Sequence, residues 1–179
     1  MVNDDNWRPA SPDQKVSDWL DAFEAALSVK DAGAIAALFL ADGIWRDVVA
    51  LTWHLKTTVA ATDIAEALIE EAGATKATGF TIAPDRTPPR WVTRAGVETL
   101  ESLIAFVTTA GRCSGVLRLV IDQDAPGRMR AWTLITNLDE LKGFEERTGE
   151  RRPSGENYSR SFGAGNWLDM RDAVSCYAD

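Results

Sequence analysis

The chain has 179 residues, seven Trp, two Cys and one His, and its 19 basic and 27 acidic side chains give a formal net charge of −8. That length suits a single domain of ~100–200 residues with a core that needs neither disulfide nor metal. The acidic balance argues against a nucleic-acid or anionic-membrane partner, which needs clustered Lys and Arg, and one His with two distant Cys cannot build a Cys/His zinc site.

The N-terminus, Met1-Val2-Asn3-Asp4-Asp5-Asn6-Trp7, is acidic and polar, unlike a signal peptide. Residues 1–10 are read as an arm. No apolar run approaches the ~18–20 residues of a membrane helix. Cys113 and Cys176 are too few for a disulfide framework, so reduced thiols in a cytoplasmic chain are expected. Cys113 is read as a half-buried structural Cys, with a thiol pKa lowered by the neighbouring Arg112 as the alternative.

Ser11-Pro12-Asp13-Gln14 opens a helix, with Ser11 as N-cap, Pro12 in the first turn and Gln14 completing a capping box. Val16, Trp19, Leu20, Phe23 and Leu27 form its apolar stripe. A second helix starts at Asp31, carries Ile35, Leu38 and Phe39, and stops at Gly43. The two make a helical hairpin through Lys30-Asp31. Ile44 to Val49 reads as a strand, and Leu51 to Leu55 as a second extended piece or a loop. A third helix begins near Thr62-Asp63, carries Ile64, Leu68 and Ile69, and ends at Gly73.

Strands follow at 78–83 and 90–93. Residues 97–109 fit either a helix or a strand buried on both faces; the turn Ala110-Gly111-Arg112 favours the strand. Val116 to Ile121 and Met129 to Leu138 complete the set, joined by a turn at 122–127. In the last strand, Trp132, Leu134 and Thr136 share one face, and Ala131, Thr133 and Ile135 the other. The stretch from Lys142 is charged and turn-rich, with a short amphipathic segment from Asn166. The order is thus α-α-β-α-β-β-β-β, an α+β fold with a curved antiparallel sheet wrapped around helices as a cone with one open mouth. The cone takes residues 11–142, and residues 143–179 form a polar extension.

The pair Leu38-Phe39-Leu40-Ala41-Asp42-Gly43 before Ile44-Trp45-Arg46-Asp47, with the closing hairpin around Gly127-Arg128, resembles the nuclear transport factor 2-like (SnoaL-like, cystatin-like α+β barrel) superfamily. That superfamily holds isomerases, dehydratases, epoxide hydrolases and polyketide cyclases beside non-catalytic association domains. The segments Trp45 to Trp53, Gly115 to Leu119, Arg130 to Leu134, Glu140 to Glu145 and Asn166 to Asp169 resemble the SnoaL-like domain that precedes the dinucleotide-binding domain of flavin-dependent monooxygenase-like proteins. Residues 143–179 then resemble an interdomain connector. No Gly-x-Gly-x-x-Gly occurs in the chain, so no flavin or nicotinamide site carries over and no cofactor is expected.

Asp47 is the foremost candidate for chemistry. The resemblance places it where ketosteroid isomerase has its general base. Independently, a carboxylate at a strand end facing an apolar cavity beside Trp45 and Trp53 loses hydration and becomes a usable base. An ion pair with Arg46, Arg94 or Arg118 is the structural alternative. His54, the one His, is a candidate acid or hydrogen-bond donor near the mouth, or a surface residue. Trp45, Trp53, Trp91, Phe106 and Trp132 are candidates to line a pocket for a small hydrophobic molecule, or core. Arg118 either stabilises charge in that pocket or makes a cross-strand pair with Glu101. Two functions remain open: a cofactor-free acid/base enzyme of the isomerase, dehydratase, cyclase or epoxide-hydrolase type, or a non-catalytic substrate-docking or dimerisation domain. A homodimer is expected in either case.

Overall fold

The computed structural model describes residues 10–122, 128–147, 152, 168–169 and 171–172, the side chains of 72 and 73 apart. It divides into two compact units, 1–145 and 146–179. In the second, the described residues 168–169 and 171–172 are helical. The expected arm before Ala10, the turn at 123–127, and Cys176 lie outside the described residues.

The first unit has the expected α+β class. Its elements are α1 (Pro12–Ser28), α2 (Ala32–Ala37), β1 (Phe39–Val48), β2 (Leu55–Val59), α3 (Ala61–Thr75), β3 (Thr78–Ile82), β4 (Arg90–Arg94), β5 (Val97–Val107), β6 (Gly111–Ile121) and β7 (Met129–Leu141). The strands make one seven-stranded sheet in the order β2-β1-β7-β6-β5-β3, with β4 also on β5. Two features differ from the expected antiparallel meander. The five strand segments read after the third helix are all present as β3 to β7, one more than the order α-α-β-α-β-β-β-β holds, and β2 adds another before α3. The sheet is also mixed, because β7 runs parallel to β1, with Trp45 opposite Leu134 and Asp47 opposite Thr136. A parallel pair needs a long connection, and β2, α3 and the strands β3 to β6 all lie between these two strands.

Helix α1 begins as its sequence predicts. Ser11 Oγ accepts from Gln14 N at 3.2 Å, but Gln14 Nε2 donates to Asp18 Oδ1 at 2.7 Å. Ser11 N makes no hydrogen bond to Gln14 Oε1, so the reciprocal half of the capping box is absent. The apolar stripe of α1 is buried and continues across the sheet. Trp19 stacks on Phe23 with centroids 5.0 Å apart, Phe23 meets Phe80 edge-on at 5.2 Å, and Phe80 stacks on Phe106 at 4.6 Å. Such aromatic contacts add ~0.5–1.5 kcal/mol each beyond their buried area.

The end of α2 differs from expectation. Phe39 belongs to β1, and Gly43 lies inside that strand rather than stopping a helix. The β1–β7 register shifts between Phe39 and Ile44. A Cβ on Gly43 would sit 2.9 Å from Leu40 O and 3.2 Å from Ala131 O. Close backbone approach at an irregular strand, not a helix cap, explains this glycine.

Candidate functional site

Asp47 sits near the end of β1 and is fully buried. Four donors converge on its carboxylate. Thr136 Oγ1 donates to Oδ1 at 2.6 Å. Thr52 N and Thr52 Oγ1 each donate to Oδ2 at 2.8 Å. Leu51 N is shared between the two oxygens at 3.2 and 3.1 Å. Trp45 Nε1 in turn donates to Thr136 Oγ1 at 3.0 Å, so Trp45, Thr136 and Asp47 form a continuous hydrogen-bonded row. No ion pair to Arg46, Arg94 or Arg118 is made; Asp47 satisfies its charge with neutral donors.

The loop from Val49 to His54 is what the carboxylate holds. Val49 and Trp53 both have positive φ, 55° and 57°, costly for a β-branched and a bulky residue. Thr52 Oγ1 accepts from His54 N at 3.2 Å, and Val49 N donates to His54 O at 3.2 Å. Ala50 and Leu51, within the loop, are buried. Buried apolar contacts and the Asp47 bonds together hold the strained backbone.

The other expected site residues scatter. His54 is exposed, and its side chain makes no hydrogen bond with Asp47. Trp53 is 54% exposed. Trp45 and Phe106 are core residues. Only Trp91 and Trp132 come together, in the walls of a cavity of about 720 Å³ at one end of the sheet. Val97, Val120 and Ile121 supply further apolar wall, and Asp42, Glu98, Asp122 and Arg130 its polar groups. Arg130 Nε lies 2.7 Å from Asp122 Oδ2. Neither Asp47 nor His54 lines any of the described cavities.

Trp132 reaches this cavity through an irregularity. Arg118 pairs with Thr133 but Leu119 with Ala131, so one residue of β7 is unopposed. That residue is Trp132. The extra residue restores Ala131 and Leu134 to the same buried side. The simple alternation that groups Trp132 with Leu134 and Thr136 therefore fails here.

Arg118 makes the cross-strand pair. Its Nε donates to Glu101 Oε2 at 2.9 Å. Arg94 adds two bonds, Nε to Oε2 at 3.0 Å and a terminal nitrogen to Oε1 at 2.8 Å, and Arg90 approaches to 3.6 Å. The Arg94 bonds foremost, then those of Arg118, hold the Glu101 carboxyl down at about 2 against the opposing effect of burial. Sequence reasoning found the Arg118–Glu101 pair, named Arg94 only as a partner for Asp47, and missed Arg90.

Cys113 is buried. Burial pushes its thiol up to about 11, and Arg112, which pairs with Glu140, does not activate it. This is the structural alternative of the two readings. Among the described residues, no three His, Cys, Asp or Glu side chains gather into a metal site, and no helix is long and apolar enough to cross a membrane.

No family model matches the chain, and no curated relative matches it. Solved structures do. One described as a calcium/calmodulin-dependent protein kinase II association domain from Xanthomonas campestris superposes with a TM-score of 0.51 at 12% identity, covering 70% of this chain and 86% of that one. ActVI-ORFA from Streptomyces coelicolor gives 0.47 at 20% identity, covering 70% and 95%. A cystatin-like-fold protein from Nostoc punctiforme gives 0.48 at 13%, covering 70% and 89%. At these identities the likeness is one of fold. The α+β fold expected from the sequence is the one this chain shares with the Xanthomonas structure.

Proposed function

We propose that this chain is a small-molecule binding module of the nuclear transport factor 2-like superfamily, and that its ligand sits between Trp91 and Trp132. The observation that carries this reading is the cavity of about 720 Å³ walled by those two indoles with Val97, Val120 and Ile121. Its size falls in the ~300–1,000 Å³ range of ligand sites, and its wall sets the two indoles and three aliphatic side chains beside the charged Asp42, Glu98, Asp122 and Arg130. Two indoles suit a flat, largely apolar molecule.

The acid/base reading is supported less well. A general base needs a lone pair aimed at the proton it takes. The Asp47 oxygens accept from Thr136, Leu51 and Thr52, and the cavity lies elsewhere. Asp47 acts here as the support of a strained loop.

Fluorescence titration with a neutral planar probe, 2-naphthol, tests the binding reading. The wild-type chain is expected to bind saturably, and Trp91→Leu and Trp132→Leu to weaken that binding by about tenfold each, the loss of ~1.4 kcal/mol of contact. Equal affinity in wild type and both variants overturns it.

A further inference from the structure

We propose that Arg90, Arg94 and Arg118 form a binding site for a small phosphate monoester, independent of the cavity. The three guanidiniums converge on one carboxylate, that of Glu101, on adjacent strands β4, β5 and β6. Their side chains are 53%, 45% and 26% exposed, whereas that of Glu101 is 10% exposed. The carboxylate thus lies beneath and the cations above it.

One guanidinium would neutralise Glu101. Arg94 already does so with a two-pronged contact. Arg118 spends only Nε on the same oxygen pair, and Arg90 stands off at 3.6 Å. Each guanidinium has five N–H donors. Most of those on Arg90 and Arg118 have no protein acceptor among the described residues. The cluster therefore keeps two positive charges and a set of unspent, outward donors, on a chain whose formal net charge is −8.

The chemistry that matches is a doubly charged oxyanion. A phosphate monoester carries ~−1.5 to −2 charge near neutral pH and three acceptor oxygens. The guanidinium fork fits such oxygens in pairs. A single carboxylate leaves one charge of the cluster unmatched. Glu101 itself positions the arginines and at the same time repels the ligand, which gives the assignment a distinctive test.

Isothermal titration of the full 179-residue chain with inorganic phosphate, at low ionic strength, is expected to show saturable binding. Acetate is expected to bind at least about tenfold more weakly, and added chloride salt to weaken the phosphate. Arg90→Gln, the substitution least coupled to folding, should cost about tenfold, the scale of one charge-assisted contact. Glu101→Gln, checked for retained near-UV dichroism, should bind phosphate more tightly than wild type. No saturable binding by the wild type, equal affinity in Arg90→Gln, or acetate binding as tightly as phosphate would each overturn the proposal. If Glu101→Gln unfolds, the Arg90→Gln and acetate comparisons still decide it.

Discussion

Asp47 shows how one residue can be legible in position and misleading in role. Its place at the strand end, next to Trp45 and ahead of an aromatic loop, is plain in the sequence. Its four donors are not, because two of them are backbone N–H groups of a loop whose conformation no pattern encodes and a third comes from Thr136, 89 residues away. Asp47→Asn turns an acceptor-only group into one with a donor facing those N–H groups. It is expected to destabilise the fold by about 2–4 kcal/mol, the cost of breaking a buried satisfied network. Urea unfolding measures this, and a loss below ~1 kcal/mol would remove the anchoring role. Glu101 gives a pH signature of definite sign. Its carboxyl is lowered from 4.5 to about 2 in the folded chain, foremost by the hydrogen bonds from Arg94. The associated stability is complete above 4.5 and is lost as pH falls toward 2. Glu101→Gln should therefore flatten the acid limb of the stability–pH curve by an amount on the order of 2 kcal/mol between those values. An acid limb identical in the two proteins would contradict the network. The missed Arg90 was within reach of sequence reasoning: an Ala95-Gly96 turn, both residues at positive φ (48° and 81°), sets the register that puts Arg90 opposite Glu101.

At the scale of elements, the helices and long strands follow their periodicity, and the failures occur where an element departs from it. β2 is an edge strand whose Leu55 and Val59 are exposed while Lys56 and Thr58 are half-buried. Its pattern is the inverse of the half-buried strand that alternation would signal. Trp132 and Gly43 were misplaced because register shifts in β7 and β1 each break the two-residue period. Gly115 makes the opposite point, a position fixed by a neighbour invisible in the local sequence. A Cβ there would lie 2.2 Å from Ile135 O and 3.0 Å from Ile104 Cγ1. The first atom is backbone, held in the β6–β7 ladder, and cannot swing away. Gly115→Ala is therefore expected to destabilise by about 3 kcal/mol or more, above the usual cost of overpacking because β6 and β7 must separate. Calorimetry would show it as a lowered Tm, and an unchanged Tm would mean that the two strands lie farther apart than described.

Across the whole molecule, the last strand in the sequence occupies the middle of the sheet. β7 pairs with β6 as a hairpin and with β1 in parallel, so it alone joins β1 and β2 to the other four strands. The contacts it makes are distant: Trp45 reaches Thr136 across 91 residues. Closing so long a segment has an entropic cost that no local element recovers, and the core between α1 and the sheet cannot complete until β7 arrives. A chain ending at residue 128 keeps three helices and six strands yet lacks the strand that unites them. It is expected to show no cooperative unfolding transition and no fixed near-UV signal from its Trp residues. A chain ending at residue 145 keeps the first compact unit whole and is expected to unfold cooperatively in urea. Cooperative unfolding of the shorter chain would show that the α1–β6 body is stable by itself and that β7 is an addition to it. Failure of the longer chain would show that residues 146–179 contribute to the stability of the first unit.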